Sequence, residues 1–169
     1  ECSFTVTVVG VAPVISCPAN ITVNAAAGTC AANVNFAATE TVGFRASTIT
    51  YTINGNPVVS GASFPVGTTT VVATATNAVG SSSCSFTVTV VDNQNPTITA
   101  PADVQGNNTA GLCTGTVTLG APVTSDNCGV ASVTNDAPIT GIFPVGTTTV
   151  IWTVTDIHGN KSTATQTVV

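Results

Sequence analysis

The sequence predicts an all-β protein made of two β-sandwiches in tandem, and three observations carry that expectation. The first is a repeat: Phe64-Pro65-Val66-Gly67-Thr68-Thr69-Thr70-Val71 returns unchanged as Phe143-Pro144-Val145-Gly146-Thr147-Thr148-Thr149-Val150. Eight identical residues in a chain of 169 mark an internal repeat, and a repeat fixes architecture before any single side chain is weighed. The second is period: Val, Ile and Ala alternate with Thr in short runs, which gives strands one apolar and one hydroxyl face. No helical period is sustained. The third is punctuation, because turn signals separate six to eight short runs in each stretch of ~80 residues, the spacing of a β-sandwich.

Taken in order, the chain opens on Cys2-Ser3-Phe4-Thr5-Val6-Thr7-Val8-Val9, and the same words close the first repeat at 84–91. Residues 1–10 are therefore expected to be the last strand of a preceding module, or a strand donated to one. Phe4, Val6 and Val8 would form the apolar face of this assembly strand. The first module is placed at 11–92, with strands at 20–24, 31–37, 48–53, 57–60, 69–76 and 84–91. Asn54-Gly55 is its clearest hairpin signal, since both residues tolerate positive φ. In the repeated turn Pro65 and Pro144 pre-set φ, and Gly67 and Gly146 fall where a type I turn favours glycine. The second module, at 93–169, repeats the plan with strands near 115–119, 130–134, 148–155 and 163–169. Asp92-Asn93-Gln94-Asn95-Pro96 between them is short, polar and closed by proline, which holds Asn95 extended. Such a linker is expected to space modules end to end.

Composition narrows the partners. Charged residues make up 5% of the chain, against roughly 25% in ordinary soluble domains. The net charge of −5 leaves Arg45 and Lys161 as the only Lys or Arg. Two cations cannot neutralise a run of phosphates, which argues against nucleic acid and against an anionic membrane surface. Every apolar run is interrupted by Thr, Asn, Ser or Gly well short of the ~20 residues of a membrane span, so no membrane insertion is expected. Six cysteines without a Cys-x-x-Cys pair suit an oxidising compartment. The localisation this implies is extracellular or cell-surface. No charged and apolar leader opens the chain, so an export signal is expected to be already removed or to lie outside this segment.

Chemistry is sparse. His158, the one histidine, stands in Asp156-Ile157-His158-Gly159-Asn160 and reads as an exposed turn residue. A nucleophile would need a base and an orienting third group, and nothing marks such a set. Glu40, Asp92, Asp103, Asp126, Asp136 and Asp156 are scattered singly, with no acid–base pair apparent. The expectation is a protein that is not an enzyme, has no catalytic residue and needs no cofactor. Calcium is the one metal the residues bring into question. Asp92, Asn93 and Asn95 supply oxygen ligands at the linker, and Asp126 with Asn127 and Asp156 with Asn160 are lesser candidates. The competing reading is ordinary turn chemistry, which favours Asp and Asn without any metal.

Several separated words also carry a family. Cys17-Pro18, the Phe-Pro-Val-Gly-Thr-Thr-Thr-Val turn, Asp156-x-x-Gly159-Asn160 and Cys84-x-Phe86-x-Val88-x-Val90 together resemble the hyalin repeat, or HYR domain. Gly28-Thr29-Cys30 and Asp126-Asn127-Cys128 look like the form of it found in surface and secreted proteins of bacteria. The resemblance implies immunoglobulin-like sandwiches, tandem arrangement, extracellular placement, and a role in adhesion or surface structure. It also implies two disulfides, Cys17 with Cys84 and Cys113 with Cys128. The modules depart from the pattern: Arg45 stands near where a partner of Cys30 would be, and Ala100 and Thr163 replace the Cys-Pro cysteine and the final cysteine of module two. Cys2 and Cys30 are left unassigned, to bond within the chain, between chains, or not at all.

The function expected is that of a structural subunit or segment of an extracellular fibre or stalk. Its partners would be copies of itself, head to tail, or tandem neighbours in one long chain. The alternative is a non-catalytic binding or spacer module attached to a secreted enzyme. That reading needs an exposed aromatic platform, whereas Tyr51 and Trp152 both fall within predicted strands.

Overall fold

The computed structural model describes residues 2, 3, 5, 10–42 and 47–169. Phe4, Val6 and Val8 of the expected assembly strand, and Arg45, lie outside the described residues. Described residues fold into strands and turns without a helix. The chain divides into two compact units, Glu1–Ala26 with Ala31–Val91, and Ala27–Cys30 with Asp92–Val169. Asp92 and the loop before Cys30 thus belong to unit 2, whereas the sequence reading closed the first module after Asp92.

Unit 1 contains β1 (Val14–Ser16), β2 (Ile21–Asn24), β3 (Ala31–Asn33), β4 (Thr39–Val42), β5 (Thr48–Ile53), β6 (Asn56–Val58), β7 (Ser63–Pro65), β8 (Gly67–Thr76) and β9 (Ser81–Val91). Five of them form one sheet in the order β2-β9-β8-β5-β6, with β2 parallel to β9. The pairs β1–β4 and β3–β7 supply the facing layer. Alternation does the sorting: along β9, Phe86, Val88 and Val90 are buried while the Thr and Ser between them are not. Phe36 sits among Tyr51, Phe64 and Phe86 with ring centroids at 5.0, 6.1 and 5.4 Å, the tilted and edge-on spacing aromatic quadrupoles favour. A disulfide joins Cys17, just after β1, to Cys84 on β9, and Cys17 packs against this core.

The repeated turn differs from its expected form. Pro65 ends β7, and Gly67 opens β8 with φ of 117°; Gly146 of the second copy has the same φ, two residues before its strand begins at Thr148. A side chain at that φ is sterically penalised, so glycine is required by the backbone itself and not merely favoured by a type I turn.

Unit 2 contains β10 (Thr97–Thr99), β11 (Thr114–Thr116), β12 (Val123–Ser125), β13 (Val130–Asn135), β14 (Ile142–Pro144), β15 (Thr148–Asp156) and β16 (Lys161–Val168). The order β13-β15-β16 makes one sheet, and β10–β12 and β11–β14 are the facing pairs. Val104 bridges in parallel to Val168, as Ile21 does to Val88 in unit 1.

Strand register shows how the second copy manages without its staple. In unit 1 Cys84 lies opposite Ala73. In unit 2 the residues in those places are Ala164 and Trp152. Ala164, and not Thr163, therefore takes the position of the final cysteine. The small Ala73 and the large disulfide of one unit become the large Trp152 and small Ala100 and Ala164 of the other. Likewise Phe86, opposite Val71, becomes Gln166, opposite Val150. Gln166 is fully buried, and the new tryptophan explains it. Trp152 Nε1 donates to Gln166 Oε1 at 3.1 Å, and Gln166 Nε2 donates to the Ala102 carbonyl at 2.7 Å. A buried indole N–H needs an acceptor, and the amide supplies it while meeting its own need.

The second disulfide corrects the expected pairing. Cys128 bonds to Cys30, not to Cys113, and Cys113 is a free, exposed thiol, as is Cys2. Within unit 2, Asn127 Nδ2 donates to the Thr29 carbonyl at 2.9 Å and Gly28 N donates to Gln94 Oε1 at 2.7 Å. These bonds seat the 27–30 loop so that the Cα atoms of Cys30 and Cys128 lie 4.8 Å apart, within bonding range for half-cystines.

Candidate functional site

Three polar turns of unit 2 converge. Asp92 is its first residue after β9, Asp126 follows β12, and Asp156 ends β15. Each aspartate is held by the backbone it caps, because a short carboxylate reaches the amides two to four residues on. Asp126 Oδ2 accepts from Cys128 N at 2.8 Å and Gly129 N at 2.9 Å. Asp156 Oδ1 accepts from His158 N and Asn160 N, both at 2.8 Å, and its Oδ2 accepts from Asn160 Nδ2 at 2.7 Å. Asp92 Oδ1 accepts from Gln94 N at 3.1 Å.

The three carboxylates meet: one oxygen from each lies within 4.8 Å of the other two. Asp92 and Asp156 are only 6% and 2% exposed. Unit charges about 5 Å apart repel by roughly 3 kcal/mol per pair at an effective dielectric of 20, so the cluster needs compensation. Some is present. His158 Nδ1 lies 3.0 Å from Asp92 Oδ2, Asn127 Nδ2 donates to Asp92 Oδ1 at 3.3 Å, and Asn160 Nδ2 donates to the Asp92 carbonyl at 3.3 Å. Asp126 Oδ1, by contrast, is shielded from solvent and has no hydrogen-bond partner.

Burial by itself would raise the pKa of Asp156, but the donors from the Asn160 side chain and from the amides of Asn160, His158 and Gly159 outweigh it, and the pKa is lowered. A depressed carboxyl pKa contributes stability that is complete above the unfolded-state value and is lost as pH falls through the folded-state value. The window therefore lies below about pH 4. A carbon-detected NMR titration in the presence of chelator is expected to give the Asp156 carboxyl a midpoint below 3.8. A midpoint at or above that value would reject the account.

The calcium candidates are rearranged by this geometry. Asp92 belongs to the cluster, but Asn93 and Asn95, named beside it, are exposed. Asp126 with Asn127 and Asp156 with Asn160, read as separate lesser sites, join Asp92 in one place. Three of the six carboxylates are thus not scattered singly, and His158, an exposed turn residue as expected, also reaches Asp92. Cys128 also lies within reach of Asp92 and His158, but its sulfur is bonded to Cys30 and offers no thiolate. Elsewhere in unit 2, a cavity of about 440 Å³ lined by Gln105, Val117, Phe143, Val145 and Val168, among others, carries no titratable side chain. Neither aromatic named for a binding platform is free: Trp152 is buried, and the Tyr51 hydroxyl accepts from Ala38 N at 2.9 Å.

The HYR domain model matches twice, over residues 11–90 and 91–169. The chain belongs to the HYR family. It is 31% identical over 169 residues to hyalin of Strongylocentrotus purpuratus, covering 95% of this chain and 14% of that protein. The chain therefore spans about a seventh of the length of this curated relative. With the relative coming from a sea urchin, the bacterial form suggested by the Cys30 and Cys128 words gains no support. Among solved structures, titin domains z1z2 in complex with telethonin are similar at 12% identity and a TM-score of 0.43, over 97% of this chain and 98% of that one. The N-terminal four Ig domains of Dscam1 isoform 6.9 are similar at 15% identity and a TM-score of 0.45, over 97% of this chain and 46% of that one. Each HYR module here is an all-β unit, with no helix among the described residues.

Proposed function

We propose that this pair of HYR modules is a structural segment of an extracellular fibre or stalk, acting in cell-surface structure or adhesion. The observation that carries the reading is two consecutive HYR modules filling residues 11–169, each an all-β unit built by repeating one plan. The recurrence of Cys-Ser-Phe-Thr-Val-Thr-Val-Val at 2–9 and 84–91 supports a longer array of such units. Two disulfides and the similarity to hyalin support placement outside the cell. Neighbours are then tandem modules of the same kind or further copies of this chain, since head-to-tail contacts that do not close produce filaments. Immunogold microscopy with antibodies raised against residues 11–169 tests this in the source cells. Label is expected along extended surface or matrix material. Label confined to the cell interior would overturn the reading.

A further inference from the structure

We propose that the Asp92–Asp126–Asp156 cluster of unit 2 is a calcium site. Three observations support it. First, three carboxylates supply oxygens within 4.8 Å of one another, the spread over which a cation with ligand bonds of roughly 2.3–2.6 Å spans a donor set. Second, two of these aspartates are almost wholly buried, so water cannot screen their repulsion. The one ion pair among the described residues that reaches them, His158 with Asp92, balances at most one negative charge of three. Third, Asp126 Oδ1 is shielded from solvent with no partner, while Oδ2 of the same carboxyl is fully occupied by two amides. A carboxylate oxygen stripped of water and given nothing in return costs free energy unless a cation takes it.

The donor chemistry selects the metal. Carboxylate oxygens suit calcium or magnesium, not zinc or copper. Zinc would require imidazole and thiolate, and the cluster holds one histidine and a sulfur already in a disulfide. Between the hard cations, magnesium demands a tight octahedron and keeps its waters, whereas calcium accepts irregular, protein-rich sets. Turns held by their own backbone bonds cannot contract into an octahedron without breaking them, so calcium is favoured.

The bound ion would tie the segments after β9, after β12 and after β15 to one centre within unit 2. Its effect is therefore on the order and stability of unit 2.

The test uses the intact, oxidised chain stripped with chelator, followed by ¹⁵N-resolved NMR during calcium chloride addition, with magnesium chloride in parallel. One saturable site is expected, with a dissociation constant on the order of 10⁻⁴–10⁻³ M, as for extracellular modules. Shifts should be concentrated at residues 92–94, 126–129 and 156–160. Saturating calcium should also raise the unfolding midpoint reported by Trp152 fluorescence. Asp126→Asn keeps an oxygen for the Cys128 and Gly129 amides while removing the charge, and is expected to weaken calcium at least tenfold while raising the midpoint in chelator, because one source of the repulsion is gone. Asp136→Asn, outside the cluster, should bind as the parent does. No shifts at 10-fold excess over the weakest expected constant, shifts spread over exposed acids, or equal affinity of Asp126→Asn and the parent would each overturn the proposal.

Discussion

Replacing both half-cystines of unit 1, as Cys17→Ala with Cys84→Ala, is expected to lower that unit's stability by about 4 kcal/mol. The bond spans a sequence separation of 67, and in the chain-entropy account a cross-link of that length removes much of the freedom of the unfolded chain. A native-state term acts in the same direction. Cys17 packs against the cluster that includes Phe36, Phe64 and Phe86, so two alanines leave unfilled volume where sulfur stood. A loss of that size is a large part of the roughly 5–15 kcal/mol typical of a domain. Substitution is the right experiment because a reductant would open Cys30–Cys128 of unit 2 as well. Native-state hydrogen exchange should place the loss in β8 and β9. A change below about 1 kcal/mol would show that the sandwich does not depend on its staple.

The legible and illegible parts of the fold separate along one physical line. Local signals read true: β5 falls at Thr48–Ile53 as expected, because Asn54 and Gly55 adopt φ of 50° and 81° and fix the hairpin from within. The long strands β8, β9, β15 and β16 were legible from alternation alone. The three-residue strands β10 and β12 were not, since they are too short to show a period and exist by pairing with each other. The same limit explains the cysteines. Nothing in the words around Cys30 says that its loop joins unit 2, and its bond to Cys128 crosses a separation of 98. Each aspartate of the cluster was readable as a turn residue. Their meeting was not, because residues 92, 126 and 156 come together only through the strand order of unit 2. A signal did exist in hindsight: each of the three turns holds Asp with Asn close behind it.

Trp152→Ala is expected to cost unit 2 about 3–5 kcal/mol for the cavity alone. The polar partner adds to that. With the indole gone, Gln166 Oε1 is left buried without a donor, a penalty of about 1–3 kcal/mol. Unit 2 has less to lose, because its buried apolar cluster is Phe143, Val150, Trp152 and Val168, against nine residues in unit 1. Trp152→Phe separates the two contributions, since it keeps most of the ring volume but removes the N–H. Gln166→Leu in the Trp152→Phe background tests the polar link directly. If the amide is present to serve the indole, the double variant loses less than the sum of the two single variants, as measured by circular dichroism in denaturant. Leucine does leave the Ala102 carbonyl without its Gln166 donor, so full recovery is not expected. Strict additivity of the two substitutions would mean that Gln166 is buried for the Ala102 bond alone, and that the exchange of Phe86 for Gln166 owes nothing to the tryptophan beside it.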